Sequence, residues 1–159
     1  MTELDDNIPT RLQEIITDFQ ISQDSEKLEL LLEFAERMPG LPDHISASKD
    51  QFEEIPECMT PVSVHSETNS GRMTFYFDVP PESPTIRGYA ALLAEGLEGS
   101  TPEEVLSIPG DFYRQMGLDR VLSHQRLNGI AAILAHIKRM ALQAIQRTSD
   151  EDKTSTNPN

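Results

Sequence analysis

The sequence predicts an α+β fold in a single domain, a small antiparallel sheet packed with several helices. Two observations carry that expectation. Residues rich in β-branched and aromatic side chains cluster in one central stretch instead of alternating with helices, and apolar stripes at helical spacing flank that stretch on both sides. The 159 residues suffice for one hydrophobic core, and no internal repeat or change in composition marks a second.

Taken in order, Leu12, Ile15, Ile16 and Phe19 form the first apolar face, with Thr10 and Gln13 spaced for a capping box, so a helix is expected over about 10–20. Leu28, Leu31, Leu32, Ala35 and Met38 predict a second over about 24–38, stopped at "PGLP" because proline restricts the residue before it and cannot continue the hydrogen-bond ladder. Between Phe52 and Asp78, "VSVHS" and "RMTFYFDV" read as strands joined by the turn chemistry of "TNSG". Ser83 and Pro84 start a third helix as cap and first residue, with Ile86, Tyr89, Ala90, Leu93 and Leu97 on its face.

"TPEEVLSI" combines Thr101 as cap, Pro102 at the first helical position and Glu104 at the third, and "DFYRQMGL" predicts a short turn stopped by Gly117. The last helix is expected to start at the Ser123 cap and run to about Arg147, with Leu127, Ile130, Ala131, Leu134, Ile137 and Ala141 facing the core. The organisation is therefore a flexible N-terminus over 1–9, a folded domain over 10–147 and a disordered tail over 148–159.

Charge and cysteine content exclude several classes of function. A formal net charge of −14 repels phosphate backbones, so no nucleic acid is expected as a partner. One cysteine cannot form an internal disulfide or a cysteine-only zinc site, and "MTELDDNIPT" lacks the basic and apolar regions of a signal peptide, which predicts a cytoplasmic protein. Even "GIAAILAHIKRMALQAI" is interrupted by charges, so no membrane helix is expected.

The sequence has no phosphate-cradling glycine loop, nucleophile elbow, zinc-binding His-Glu helix or dinucleotide fingerprint. His44, His65, His124 and His136 have no ligand spacing, so no metal is expected. The acidic neighbours Glu53/Glu54 and Glu103/Glu104 fit cap or solvent roles better than acid/base catalysis. Cys58, the sole cysteine, lies between Pro56 and Pro61 in a connection leading into a strand. The residues alone leave it either a reachable thiol or a small apolar filler. An ordinary thiol is only about 3% ionised at neutral pH, and Glu53, Glu54 and Glu57 should reduce that further. Arg126 occupies the first turn of the last helix, where the helix dipole disfavours a cation, which suits either a partner contact or an ordinary salt bridge.

Over about residues 10–145 the chain resembles the SufE family, sulfur acceptors for cysteine desulfurases in iron–sulfur cluster assembly. Ile55, Cys58, Thr60 and Val62 follow the family's cysteine motif in order, with Glu57 in place of a glycine and Ser63 in place of an aromatic residue. "ERMPGLP", "IRGYAALL" and "TPEEVLSI" are similar to supporting segments. In "MGLDRVLSHQRLNGI", residues Gly117, Leu118, Leu122, Ser123, Arg126, Asn128 and Gly129 match, whereas His124 and Gln125 depart from the usual proline and hydroxyl residue. Glu82 stands where an aspartate is usual.

The resemblance implies that Cys58 takes persulfide sulfur from a SufS-like cysteine desulfurase, stimulates that enzyme, and relays the sulfur toward an iron–sulfur scaffold complex. It further implies that Arg126 and Glu82 contact the partner, that pyridoxal phosphate belongs to the desulfurase, and that this chain carries no cofactor. The protein would then be a persulfide carrier rather than a stand-alone enzyme. The alternative is an adaptor that binds the desulfurase but accepts sulfur poorly.

Overall fold

A computed structural model describes residues 7–56 and 58–155, with side chains followed to residue 150. The expectations for residues 1–6, for Glu57 and for 156–159 fall outside the described residues. Helix α1 spans Thr10–Ile21 and buries Leu12, Ile15, Ile16 and Phe19 as their spacing predicts. It starts one residue earlier than a Thr10 cap requires, so the capping box does not form. Gln13 donates its side-chain amide to the Ile8 carbonyl at 2.6 Å instead. Ile8 is itself buried, within the stretch expected to be flexible.

Helix α2, Asp24–Arg37, faces the core with Lys27, Leu31 and Phe34. The expected stripe is displaced: Leu28 and Leu32 are 38% and 41% exposed. Lys27 takes an inward position because its ammonium donates to the Phe19 carbonyl at 2.6 Å and the Ser22 carbonyl at 2.7 Å. These acceptors lie at the end of α1, where helical carbonyls lack partners within the helix. Hydropathy counts the lysine as polar surface and misses that demand.

After Pro42 comes a single-turn helix, α3 (Asp43–Ser46), then a sheet in the order β1 (Glu53–Glu54), β2 (Ser63–Asn69), β3 (Arg72–Asp78), all antiparallel. The hairpin turns at Ser70 and Gly71, with φ of 54° and 78°, the doubly positive conformation that matches the twist of two paired strands. Alternation puts Val64, Met73, Phe75 and Phe77 into the core.

Helix α4, Pro84–Gly96, lies at the centre and packs on α1, α2, β3 and α6. Ser83 does not act as its expected side-chain cap, because its hydroxyl is engaged by Thr60 at 3.3 Å. Helix α5, Pro102–Leu106, has the expected capping box between Thr101 and Glu104. Short 3-10 turns at Phe112–Arg114 and Leu118–Arg120 precede α6.

Helix α6 runs over His124–Ser155, past the expected end near 147 and into the segment expected as a disordered tail. Ser123 caps it, accepting from the Arg126 backbone N–H at 3.3 Å. Ile130, Ile133, Leu134, Ile137 and Ala141 are fully buried. A fully buried isoleucine or leucine contributes about 1.5–3 kcal/mol, so the inward face of α6 anchors the helix on α5, α4 and β2. No helix among the described residues is long and apolar enough to cross a membrane.

Candidate functional site

Three segments converge on Cys58. The connection from Ile55 to Val62 is closed at its base by the Ile55 N–H donating to the Val62 carbonyl at 2.9 Å, with both side chains buried as anchors. The start of α4 approaches from one side, tied to this connection by the Thr60–Ser83 hydroxyl pair. The first turns of α6 approach from the other. Between them lies a cleft of about 550 Å³, lined by Cys58, Met59 and Thr60, by Glu82 to Ile86, and by Ser123, Gln125, Arg126 and Gly129.

Cys58 is 8% exposed, so the two readings left open by the sequence are both physically present: the side chain fills space in the core and its sulfur still reaches the wall of a cleft. Gly129 makes this possible. A Cβ at that position would stand 3.2 Å from Cys58 Sγ, a tight contact that would displace the sulfur by a few tenths of an ångström, and glycine avoids it. The sequence marked Gly129 solely as a matching position; the signal for its role is a glycine inside an otherwise well-formed helix.

Burial pushes the Cys58 thiol pKa up, and a backbone N–H from Thr60 opposes the shift by favouring the thiolate. The direction agrees with the sequence expectation, but the cause is desolvation, and Glu53 and Glu54 are not among its sources. Alkylation of the free protein should therefore keep accelerating as pH rises beyond about 8.5, where an ordinary thiol reaches its midpoint. Rate against pH, followed by mass spectrometry, checks this; a midpoint at or below the ordinary value would contradict it.

Arg126 and Glu82, the two expected partner-contacting residues, are both exposed and line this cleft with Cys58. Among the described residues Arg126 has no ion pair, so nothing there supports the salt-bridge reading of this cation. The Met59 side chain is 80% exposed, and its sulfur accepts an N–H from the Gln125 amide.

A second cleft of about 570 Å³ borders the same connection and includes residues of the sheet in its lining. Pro56, Pro61, Val62, Ser63, Asp78 and Pro80 line it, with Ile55 and Glu54. The two clefts have only Cys58 and Met59 in common.

The histidines are dispersed. His44 meets Glu67 at 3.1 Å, His65 stacks on Phe52, and His136 meets Glu53 at 3.2 Å. Among the described residues no group of three or more His, Cys, Asp or Glu side chains could hold a metal ion.

Comparison with known proteins locates this arrangement. The family model described as "SufE: Fe-S metabolism associated domain" matches residues 13–141. An uncharacterized SufE-like protein of Mycobacterium tuberculosis is 40% identical over 139 residues, 87% of this chain and 96% of its own length. The SufE-like protein 1, chloroplastic/mitochondrial, of Arabidopsis thaliana is 30% identical over 151 residues, 94% of this chain and 39% of that protein. The solution structure of a hypothetical protein from Thermus thermophilus superposes with a TM-score of 0.77 at 34% identity, over 87% of this chain and 98% of that one.

Proposed function

The chain belongs to the SufE family, and on that premise we propose that it is a sulfur acceptor whose Cys58 takes persulfide sulfur from a cysteine desulfurase and relays it to iron–sulfur cluster assembly. The observation that supports this most strongly is the placement of the sole thiol in the wall of a cleft rimmed by Arg126, a cation without an ion pair among the described residues.

The Cys58 thiolate attacks the terminal sulfur of the partner's cysteine persulfide. A new S–S bond forms to Cys58 as the old one breaks, and the partner's cysteine leaves as a thiolate, so no net oxidation occurs. The desulfurase holds the pyridoxal phosphate and supplies the persulfide. This chain supplies the nucleophile, the Thr60 N–H that favours its ionised form, and a cleft that excludes water once the partner fills it. Burial keeps the thiol protonated in the free protein, so the nucleophile is released only when docking changes its surroundings.

The test is incubation with a desulfurase and sulfur-labelled cysteine, followed by intact and peptide mass measurement. One added sulfur on the peptide containing Cys58 is the expected result. Binding without labelling indicates the adaptor, and neither binding nor labelling overturns the reading.

Arg126→Ala should slow transfer on the order of tenfold through weaker docking at low salt, since a rim charge acts mainly on association. Its exposed position predicts a stability change within about 0.5 kcal/mol. Transfer kinetics and thermal melting check the two halves; a large loss of stability would make Arg126 structural instead.

A further inference from the structure

A thiol that both receives and releases an atom must meet two partners, and Cys58 borders two clefts that differ in chemistry. The cleft between α4 and α6 carries the cation Arg126 together with Glu82. The cleft toward the sheet has a floor of prolines and buried aliphatic side chains, and its charged rim is acidic, made by Glu54 and Asp78. Glu54 has no ion pair among the described residues, and Asp78 has a loose one with Lys49 at 3.7 Å.

We propose that sulfur arrives through the Arg126 cleft and leaves through the sheet-side cleft, where a cysteine-bearing basic segment of the acceptor protein docks. This rests on the sulfur-acceptor reading and adds the route of discharge. The occupant must present a thiolate to the Cys58 persulfide from a cleft whose lining, apart from Cys58 and Met59, differs from that of the donor's cleft, so the acceptor meets a largely different surface. It is basic because Glu54 and Asp78 are the charges it meets, and charge complementarity sorts partners and speeds their encounter. Its contact is partly apolar, since Pro56, Pro61 and Pro80 line the cleft and offer no backbone N–H. The acceptor thiolate attacks the outer sulfur of the Cys58 persulfide, a new S–S bond forms on the acceptor, and Cys58 leaves as a thiolate, again without net oxidation.

The experiment separates loading from discharge. The full chain is loaded by a desulfurase, isolated, and challenged with a short synthetic peptide carrying one cysteine between lysines, or with the same peptide carrying glutamates instead. Sulfur on the peptide is read by mass spectrometry. At low salt the lysine peptide should discharge wild type roughly tenfold faster than the glutamate peptide. Glu54→Lys should erase most of that preference, which also removes any difference in thiolate content between the peptides from the comparison. Pro80→Trp, at a residue that lines only this cleft, should slow discharge to both peptides while loading proceeds as in wild type.

Equal discharge to the two peptides, or wild-type discharge from both variants, overturns the proposal. Slower loading with unchanged discharge in Pro80→Trp assigns this cleft to the donor and also overturns it. If Pro80→Trp fails to fold, the exposed Glu54→Lys decides alone. A wild-type protein that never takes up sulfur refutes the acceptor reading itself, whereas normal loading with unselective discharge refutes only the route.

Discussion

Cys58→Ser should abolish sulfur uptake from a desulfurase while leaving the fold and partner binding in place. The oxygen that replaces sulfur is neither a comparable nucleophile nor able to carry a sulfane atom. No second thiol can substitute, because the chain has one cysteine. Stability should change little: serine is smaller, the site is 8% exposed, and the Thr60 N–H that faces the sulfur can donate to a hydroxyl, so a cost of about 1 kcal/mol is expected. Labelled-cysteine transfer, partner pull-down and thermal melting measure the three parts. Sulfur retained on the serine variant would place the accepting atom elsewhere.

Gly88→Ala should be the most damaging single methyl group in the molecule. Glycine in a helix interior ordinarily costs about 1 kcal/mol relative to alanine, so propensity alone predicts a gain. Packing reverses the sign. An added Cβ would lie 2.0 Å from the Leu31 carbonyl oxygen and 2.8 Å from its carbon, both backbone atoms of α2 that no rotamer change can move. The two helices would have to part, loosening Leu31, Phe34 and the buried Lys27, at a net cost of about 3 kcal/mol. Thermal or denaturant unfolding checks this; a variant as stable as wild type would mean that α2 can shift without loss.

The elements were legible in the sequence wherever one cause dominated. Apolar spacing located α1 and α4 and the N-terminal part of α6, and Pro102 with Thr101 and Glu104 located the start of α5. Errors arose where two local demands competed. The stripe on α2 was misplaced because Lys27 satisfies the end of α1, a need that belongs to a neighbouring helix. Ser83 lost its capping role to Thr60, a residue distant in sequence.

The site was legible in its parts but not in its assembly. Cys58, Arg126 and Glu82 could be named in the sequence, and the folded chain brings all three to one cleft. Sequence spacing could not show that burial, rather than Glu53 or Glu54, raises the thiol's pKa. Nor could it show the second cleft, whose lining combines a loop with the paired ends of β2 and β3.

Helix α6 has a mechanical consequence beyond chemistry. Ala144 is its last buried residue among those whose side chains are described, yet the helix continues to Ser155. At about 1.5 Å per residue, positions 145–150 give a spar of roughly 9 Å with no fully buried side chain. A fluorophore attached within 145–150 would follow the tumbling of the molecule through the continuous helix, a reporter position for complex assembly by anisotropy.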